Sequence, residues 1–265
     1  MTITQEQKAA QFKALHQSGC FIIPNPWDAG SARLLAGMGY LALATSSGAA
    51  AGVLGRKDGE ISRDESIAHA RIIVAATDLP VAADLENGFG DTPADAALTI
   101  RRAAEVGLVG GSIEDASGIN AATGERRIYD FNHAVERVTA AAEVAHAQPS
   151  AFTFTARCEN FLRGNPDIDD TIRRLQAYEK AGADVLFAPG LPNIEAVRLV
   201  CQSLSKPFNF MAGIKGKSFS VAELEAAGVR RISLATSLYR AAMAGMRAAA
   251  GEVKEHGTFG YLDRL

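Results

Sequence analysis

The chain has 265 residues, 48% of them apolar and 22% charged, with 27 Lys and Arg against 30 Asp and Glu for a net charge of −3. That composition suits a globular domain with a sizeable core and gives no reason to expect nucleic acid or a membrane surface as a partner. Three scattered cysteines, Cys20, Cys158 and Cys201, form neither a disulfide framework nor a zinc-type CxxC pair, which fits a reducing compartment.

In chain order, the first twenty residues read as an amphipathic helix without the apolar centre of a signal peptide, so the cytoplasm is the expected location. Short apolar runs then recur as candidate strands at 21–25, 40–47, 80–86 and 107–115, followed by 152–159, 184–190, 206–212 and 229–237. Helical stretches such as RDESIAHARIIVAAT and DIDDTIRRLQAYEKAG lie between them, capped by Asp, Ser or Thr and closed by glycine. Eight such alternations in one chain predict a single α/β domain over 1–265, a (β/α)8 TIM barrel with a parallel sheet. An open doubly wound sheet competes, but neither of its phosphate-binding glycine motifs is present.

Function in a barrel collects at the C-terminal strand ends. Those ends carry Asn25 with Trp27, the TSSG turn at 45–48, Asp84 with Glu86, Glu114 with Asp115, and Arg157 with Glu159, then Pro189, Asn209 with Met211, and Thr236. Side chains two apart on a strand share a face, so Asp84 and Glu86 are expected to point the same way, with Glu114 joining from the next strand. Three such carboxylates repel unless a hard cation sits among them, which points to Mg2+, with Mn2+ as a substitute. The alternative is that these acids only cap helices or pair with Arg157. No histidine lies at a strand end, which argues against zinc or iron. Arg157 offers a planar fork for a carboxylate or a phosphate, or else a structural pair with Glu159 or Glu114. The Ser47–Gly48 turn offers donors for an anionic oxygen. Cys158 should face away from the lumen, and Trp27 is a pocket wall or a packing residue.

The motifs NPWDAGSARL, TSSGAA, LGRKDGEISRDE, ADLENGFGD, GSIEDASG, ARCENFLRG, AGADVLFAPGLP and AELEAAGVRRISL, in that order, resemble the isocitrate lyase/phosphoenolpyruvate mutase superfamily over nearly the whole chain. The resemblance implies a magnesium-dependent barrel, a homotetramer with the C-terminal helix swapped between subunits, and a small carboxylate substrate. By position it implies Asp84 as the direct metal ligand, with Glu86 and Glu114 holding the ion largely through its waters. It further implies Asp58 near metal and substrate, Ser47 and Gly48 at the ligand oxygen, Arg157 at the substrate carboxylate, and Trp27 where relatives carry tyrosine. Asp58, Glu114 and Arg157 are the expected catalytic set; Trp27, Ser47, Gly48 and Arg157 are the expected substrate contacts.

One segment departs from the resemblance. Where isocitrate and methylisocitrate lyases carry KKCGH or KRCGH, this chain reads IEDASGINAATGERRIYD, with neither cysteine nor lysine. Asn120, Glu125, Arg126 and Arg127 are its evident polar groups, and 116–130 is expected to form a lid over the mouth. The expected reaction is C–C cleavage of a small 2-oxo or 2-hydroxy carboxylate through an enolate. The alternatives are phosphonopyruvate-type mutase or P–C hydrolase chemistry, and a metabolite-binding barrel without turnover.

Overall fold

The computed structural model describes residues 3–118, 122–124 and 127–264. Among them, eight parallel strands form one sheet in the order β1-β8-β7-β6-β5-β4-β3-β2. These are β1 (Phe21–Ile23), β2 (Leu43–Ala44), β3 (Val81–Asp84), β4 (Gly110–Glu114), β5 (Thr153–Arg157), β6 (Val185–Phe187), β7 (Phe208–Met211) and β8 (Arg231–Ser233). β1 and β2 are stitched by Ala44 N donating to Pro24 O at 3.1 Å and by the Asn25 amide. That amide donates to Thr45 O at 2.9 Å and accepts from Leu234 N at 2.9 Å, so it spans the seam. The result is the expected (β/α)8 barrel.

Helices α1 (Gln5–Leu15), α2 (Ala29–Gly37), α3 (Ser47–Val53), α4 (Arg63–Ala76) and α5 (Pro93–Glu105) precede β4. After it come α6 (Phe131–His146), α7 (Ile168–Lys180), α8 (Ile194–Gln202), α9 (Val221–Ala226) and α10 (Ser237–His256). Their starts follow the caps read from the sequence. Ser62 with Glu65 and Thr92 with Asp95 form reciprocal capping boxes, while Asp167 and Asn193 accept from first-turn N–H groups. Between helices and sheet lies the main core, from Leu43, Ile73 and Ile100 round to Phe154, Leu186 and Phe208.

A second, smaller core fills the bottom of the lumen with Ala9, Phe12, Phe21, Ile23, Ala42, Ala82 and Val109. Helix α1 crosses the N-terminal end of the barrel and inserts Phe12, which is fully buried. Gly110 makes room for it: a Cβ there would stand 2.7 Å from the Phe12 ring. The lumen is therefore plugged at its floor and open at the C-terminal mouth. Among the described residues no helix is long and apolar enough to cross a membrane.

Every strand stops short of its expected end, and three of these stops shape the mouth. β2 ends at Ala44 because Ser46 becomes the N-cap of α3, its hydroxyl accepting from Ala49 N. β8 ends at Ser233, and Ala235 turns the chain with φ +49° before α10 begins after Thr236. β3 ends at Asp84, and Glu86 sits in the left-handed region with φ +48°. The alternation that was to put Asp84 and Glu86 on one face does not extend to Glu86, since the strand stops two residues too soon.

Candidate active site

The cavity at the mouth is lined by the strand ends themselves, with Ser46, Asp84, Ser112 and Arg157 contributing polar groups and Arg231 reaching it from β8. Asp84 is fixed at the end of β3 by accepting from the Ser47 hydroxyl at 2.9 Å and from Ser47 N at 3.3 Å. Its other oxygen accepts from Glu86 N at 3.2 Å, which closes the left-handed turn. Glu86 O in turn accepts from Glu114 N at 2.8 Å, so the buried Glu86 and Glu114 share one backbone link.

Arg157 ends β5 among acids. Its Nε donates to Glu159 in a close ion pair, Nη2 stands 3.6 Å from Glu114 and Nη1 stands 3.8 Å from Asp84. Burial is the largest single influence and lowers its pKa, but Glu159, Glu114 and Asp84 together overcome it and hold the guanidinium above its ordinary value. Phe187 packs beneath it, 5.0 Å from the guanidinium carbon to the ring centre. Arg163, on the 3-10 turn after β5, reaches Glu159 at 3.1 Å and Glu114 at 3.8 Å. Sequence reading missed it; its spacing of four from Glu159 was the available signal.

Asp115, next to Glu114, points the other way, as strand alternation requires. It accepts from Tyr178 Oη at 2.5 Å and Glu159 N at 2.8 Å, with Arg174 at 3.4 Å. Burial raises its pKa against the pull of those partners. It ties the sheet to α7 and takes no part in the mouth. Cys158 lies in the outer core, its thiol pushed up by burial.

Asp58 lies on the exposed turn before α4, yet its carboxyl carbon is 3.4 Å from where a Gly48 Cβ would stand. Thr236 at the start of α10 closes the other side at 3.3 Å. Ser47, Gly48, Asp58 and Asp84 therefore form one continuous rim. Trp27 stands edge-on to Tyr239 of α10, ring centres 5.7 Å apart, and the Tyr239 ring occupies the space a side chain at Gly52 would need. Tyr239 gave no signal in the sequence, because its contacts join the last helix to the first strand ends.

Among the described residues, no three Asp, Glu, His or Cys side chains stand close enough together to wrap a cation directly. The expected direct convergence of three carboxylates is replaced by a guanidinium standing between Asp84 and Glu114. Of the loop residues singled out earlier, Asn120, Glu125 and Arg126 lie outside the described residues. Arg127 is described and exposed, its N donating to Ser117 Oγ at 2.9 Å where Ala116 bridges Ile128. The base of this loop is anchored by Tyr129, whose hydroxyl donates to Asp91 at 2.6 Å and accepts from Asn87 at 3.1 Å.

Fold and site together define a (β/α)8 barrel with an acid-and-guanidinium centre at its C-terminal mouth. The phosphoenolpyruvate phosphomutase family pattern matches residues 12–254. The chain belongs to that family, within the isocitrate lyase/phosphoenolpyruvate mutase superfamily. It is 30% identical to 2-methylisocitrate lyase of Escherichia coli over 220 residues, 81% of this chain and 73% of that one. It is 28% identical to 2,3-dimethylmalate lyase of Eubacterium barkeri over 214 residues, 78% and 72% of the two chains. Among solved structures, a Burkholderia cenocepacia protein described as a lyase or mutase superposes with a TM-score of 0.94 at 50% identity, covering 98% of this chain and 92% of that one.

Proposed function

We propose that this protein is a magnesium-dependent lyase that cleaves a C–C bond in a small 2-oxo or 2-hydroxy carboxylate. The observation that carries the reading is Arg157 held among Asp84, Glu114 and Glu159 at the barrel mouth, where Arg157 and Asp84 line a cavity. The C–C lyases among the relatives support it. The donor set is all oxygen, which fits Mg2+ better than zinc or iron. Asp84 would ligate the ion directly, and Glu86 and Glu114, set behind it, would hold its waters. That arrangement suits an ion that dehydrates reluctantly. When bound, the ion supplies a Lewis acid that stabilises negative charge on the substrate's 2-oxygen.

The rest of the work falls to the chain. Arg157 forks onto the substrate carboxylate and orients it, backed by Glu159 so that the guanidinium does not swing. The Ser47–Gly48 turn faces the 2-oxygen. In this reading Asp58, the carboxylate on the exposed rim, moves the proton. For a 2-hydroxy acid the hydroxyl proton leaves, the C–C bond breaks, and its electron pair passes into an enolate that is then protonated. Assembly of four copies is part of this reading. Helix α10 has no buried residue, and it and the tail after it expose Met246, Val253, Phe259 and Leu262.

A second reading, phosphonopyruvate rearrangement or hydrolysis, is supported by the name of the matching family. Incubation with Mg2+ and oxaloacetate, 2,3-dimethylmalate or phosphonopyruvate separates the readings. Pyruvate with CO2 or a second organic acid marks the lyase. Pyruvate with phosphate marks the hydrolase, and phosphoenolpyruvate the mutase. No product from any of them would refute both enzymatic readings and leave a binding barrel.

A further inference from the structure

A second cavity lies at the end of the barrel opposite the mouth, with a volume of about 510 Å³. It opens where the last turn of α1 and the end of α6 meet the chain entering β5, β6 and β7. Cavities that hold small molecules run from about 300 to 1,000 Å³. Phe152, Val185 and Pro207 give this one an apolar wall, and the first two are buried in the core.

Its charged groups are mostly basic. Lys13 comes from the last turn of α1, His146 from the last turn of α6, and Lys206 from the bend before β7. The only carboxylate in the lining, Asp184, is already committed: Oδ2 accepts from Phe154 N at 2.9 Å, and Oδ1 stands 3.2 Å from His146 Nε2. Among the described residues neither Lys13 nor Lys206 forms an ion pair. A basic residue in the last turn of a helix complements the helix dipole, which accounts for Lys13 and His146 one at a time. It does not account for Lys206, which is on no helix. Nor does it explain two unpaired ammonium groups from separate elements at one apolar wall, in a chain whose net charge is −3.

His16 separates this cavity from the one at the mouth. Its Nδ1 lies 2.8 Å from Phe12 O, which only accepts, so the ring proton sits on Nδ1 and Nε2 offers a lone pair to Arg231 Nη1 at 3.3 Å. His16 lines the basal cavity and Arg231 the mouth cavity, so the two stand back to back across that hydrogen bond.

We infer that the basal cavity is a second ligand site, for a small organic anion with an apolar body. The body packs on Phe152, Val185 and Pro207, and the carboxylate or phosphate reaches Lys13 and Lys206. Exposed ammonium groups alone hold an anion weakly in water, so the apolar wall is what makes the site more than a charged patch. The lining has no carboxylate beyond Asp184, so binding there needs no Mg2+.

Calorimetry and NMR of nitrogen-15-labelled histidine side chains, both without Mg2+, test this with phenyl phosphate as the probe and with inorganic phosphate and benzyl alcohol as its two halves. Phenyl phosphate should bind at least about tenfold more tightly than either half. Of the five histidines, His16 and His146 should shift, while His69, His133 and His256 stay in place. The double variant Lys13→Gln, Lys206→Gln should weaken phenyl phosphate by about tenfold or more, with the melting temperature unchanged because both side chains are exposed. Inorganic phosphate or benzyl alcohol binding as tightly as phenyl phosphate would reduce the cavity to a charged patch or a plain apolar pocket and overturn the inference. A probe that shifts His16 but not His146 is seated at the mouth, which overturns it equally. So does undiminished binding in the double variant, or no binding of phenyl phosphate to the wild type.

Discussion

His16 makes the stability of this barrel depend on acid in a way that can be isolated. The imidazole is 7% exposed, and burial first, then the Arg231 charge, bring its pKa down to about 3, with the bond to Phe12 O acting in the opposite sense. In the unfolded chain it titrates near 6.5. Between those two values the unfolded chain holds the extra proton, so the stability present above pH 6.5 is lost as pH falls, at about 1.4 kcal/mol per pH unit. At pH 4.5 the loss from this one residue is about 3 kcal/mol, and it levels off below pH 3, where both states are protonated. His16→Gln removes the titration and keeps an acceptor for Arg231. Urea unfolding of both proteins at pH 7.5 and 4.5 gives the test, because contributions from the carboxylates are common to the pair and cancel. The wild type should lose about 3 kcal/mol more than the variant over that interval. Parallel losses in the two proteins would refute the neutral, guanidinium-facing histidine.

Asp84→Ala should abolish metal-dependent turnover and weaken Mg2+ binding while the far-ultraviolet spectrum stays unchanged; unaltered Mg2+ affinity by calorimetry would remove Asp84 from the metal site. Arg157→Lys keeps the charge among Asp84, Glu114 and Glu159 but loses the fork, so kcat/KM should fall by the equivalent of about 2–3 kcal/mol. Near-wild-type kinetics in that variant would reduce the arginine to a structural role. Gly52→Ala should drive the Tyr239 ring off its seat, since the new Cβ would stand 2.7 Å from it. Trp27 is the sole tryptophan, so its emission reports the separation directly; stability should move by less than about 1 kcal/mol, because alanine's helix propensity offsets the lost contact. An emission spectrum identical to wild type would mean that the two rings are not coupled.

Much of the mouth was legible because parallel β/α repeats carry their own punctuation. Capping residues mark helix starts, and Asp84, Glu114 and Arg157 fall at strand ends by periodicity alone. Glu86 was misplaced because nothing in a non-glycine residue announces a left-handed backbone. Its turn is stabilised by Asp84 accepting from its N–H, a bond made only once the strand has already stopped. Arg231 was overlooked for a different reason. Two adjacent arginines look like a solvated surface, whereas alternation in a barrel strand sends one outward and the other into the lumen. Arg230 indeed reaches out to Gly19 O, and Arg231 turns in. The contacts among Trp27, Gly52 and Tyr239 join residues roughly two hundred positions apart; only the closed barrel brings them together.

The floor plug also governs traffic. With Phe12 seated against Gly110 and His16 against Arg231, the lumen is closed at its floor, so in the proposed function substrate and products share one doorway. Cleaving one molecule into two fragments in such a chamber imposes a queue: the fragment nearer the mouth departs first, and the one seated over the floor departs last. Steady-state kinetics would then be of the ordered one-substrate, two-product kind. The deep fragment would compete directly with incoming substrate, while the shallow one would inhibit noncompetitively. The inhibition pattern of the two products therefore reports which of them had been seated at the bottom of the barrel.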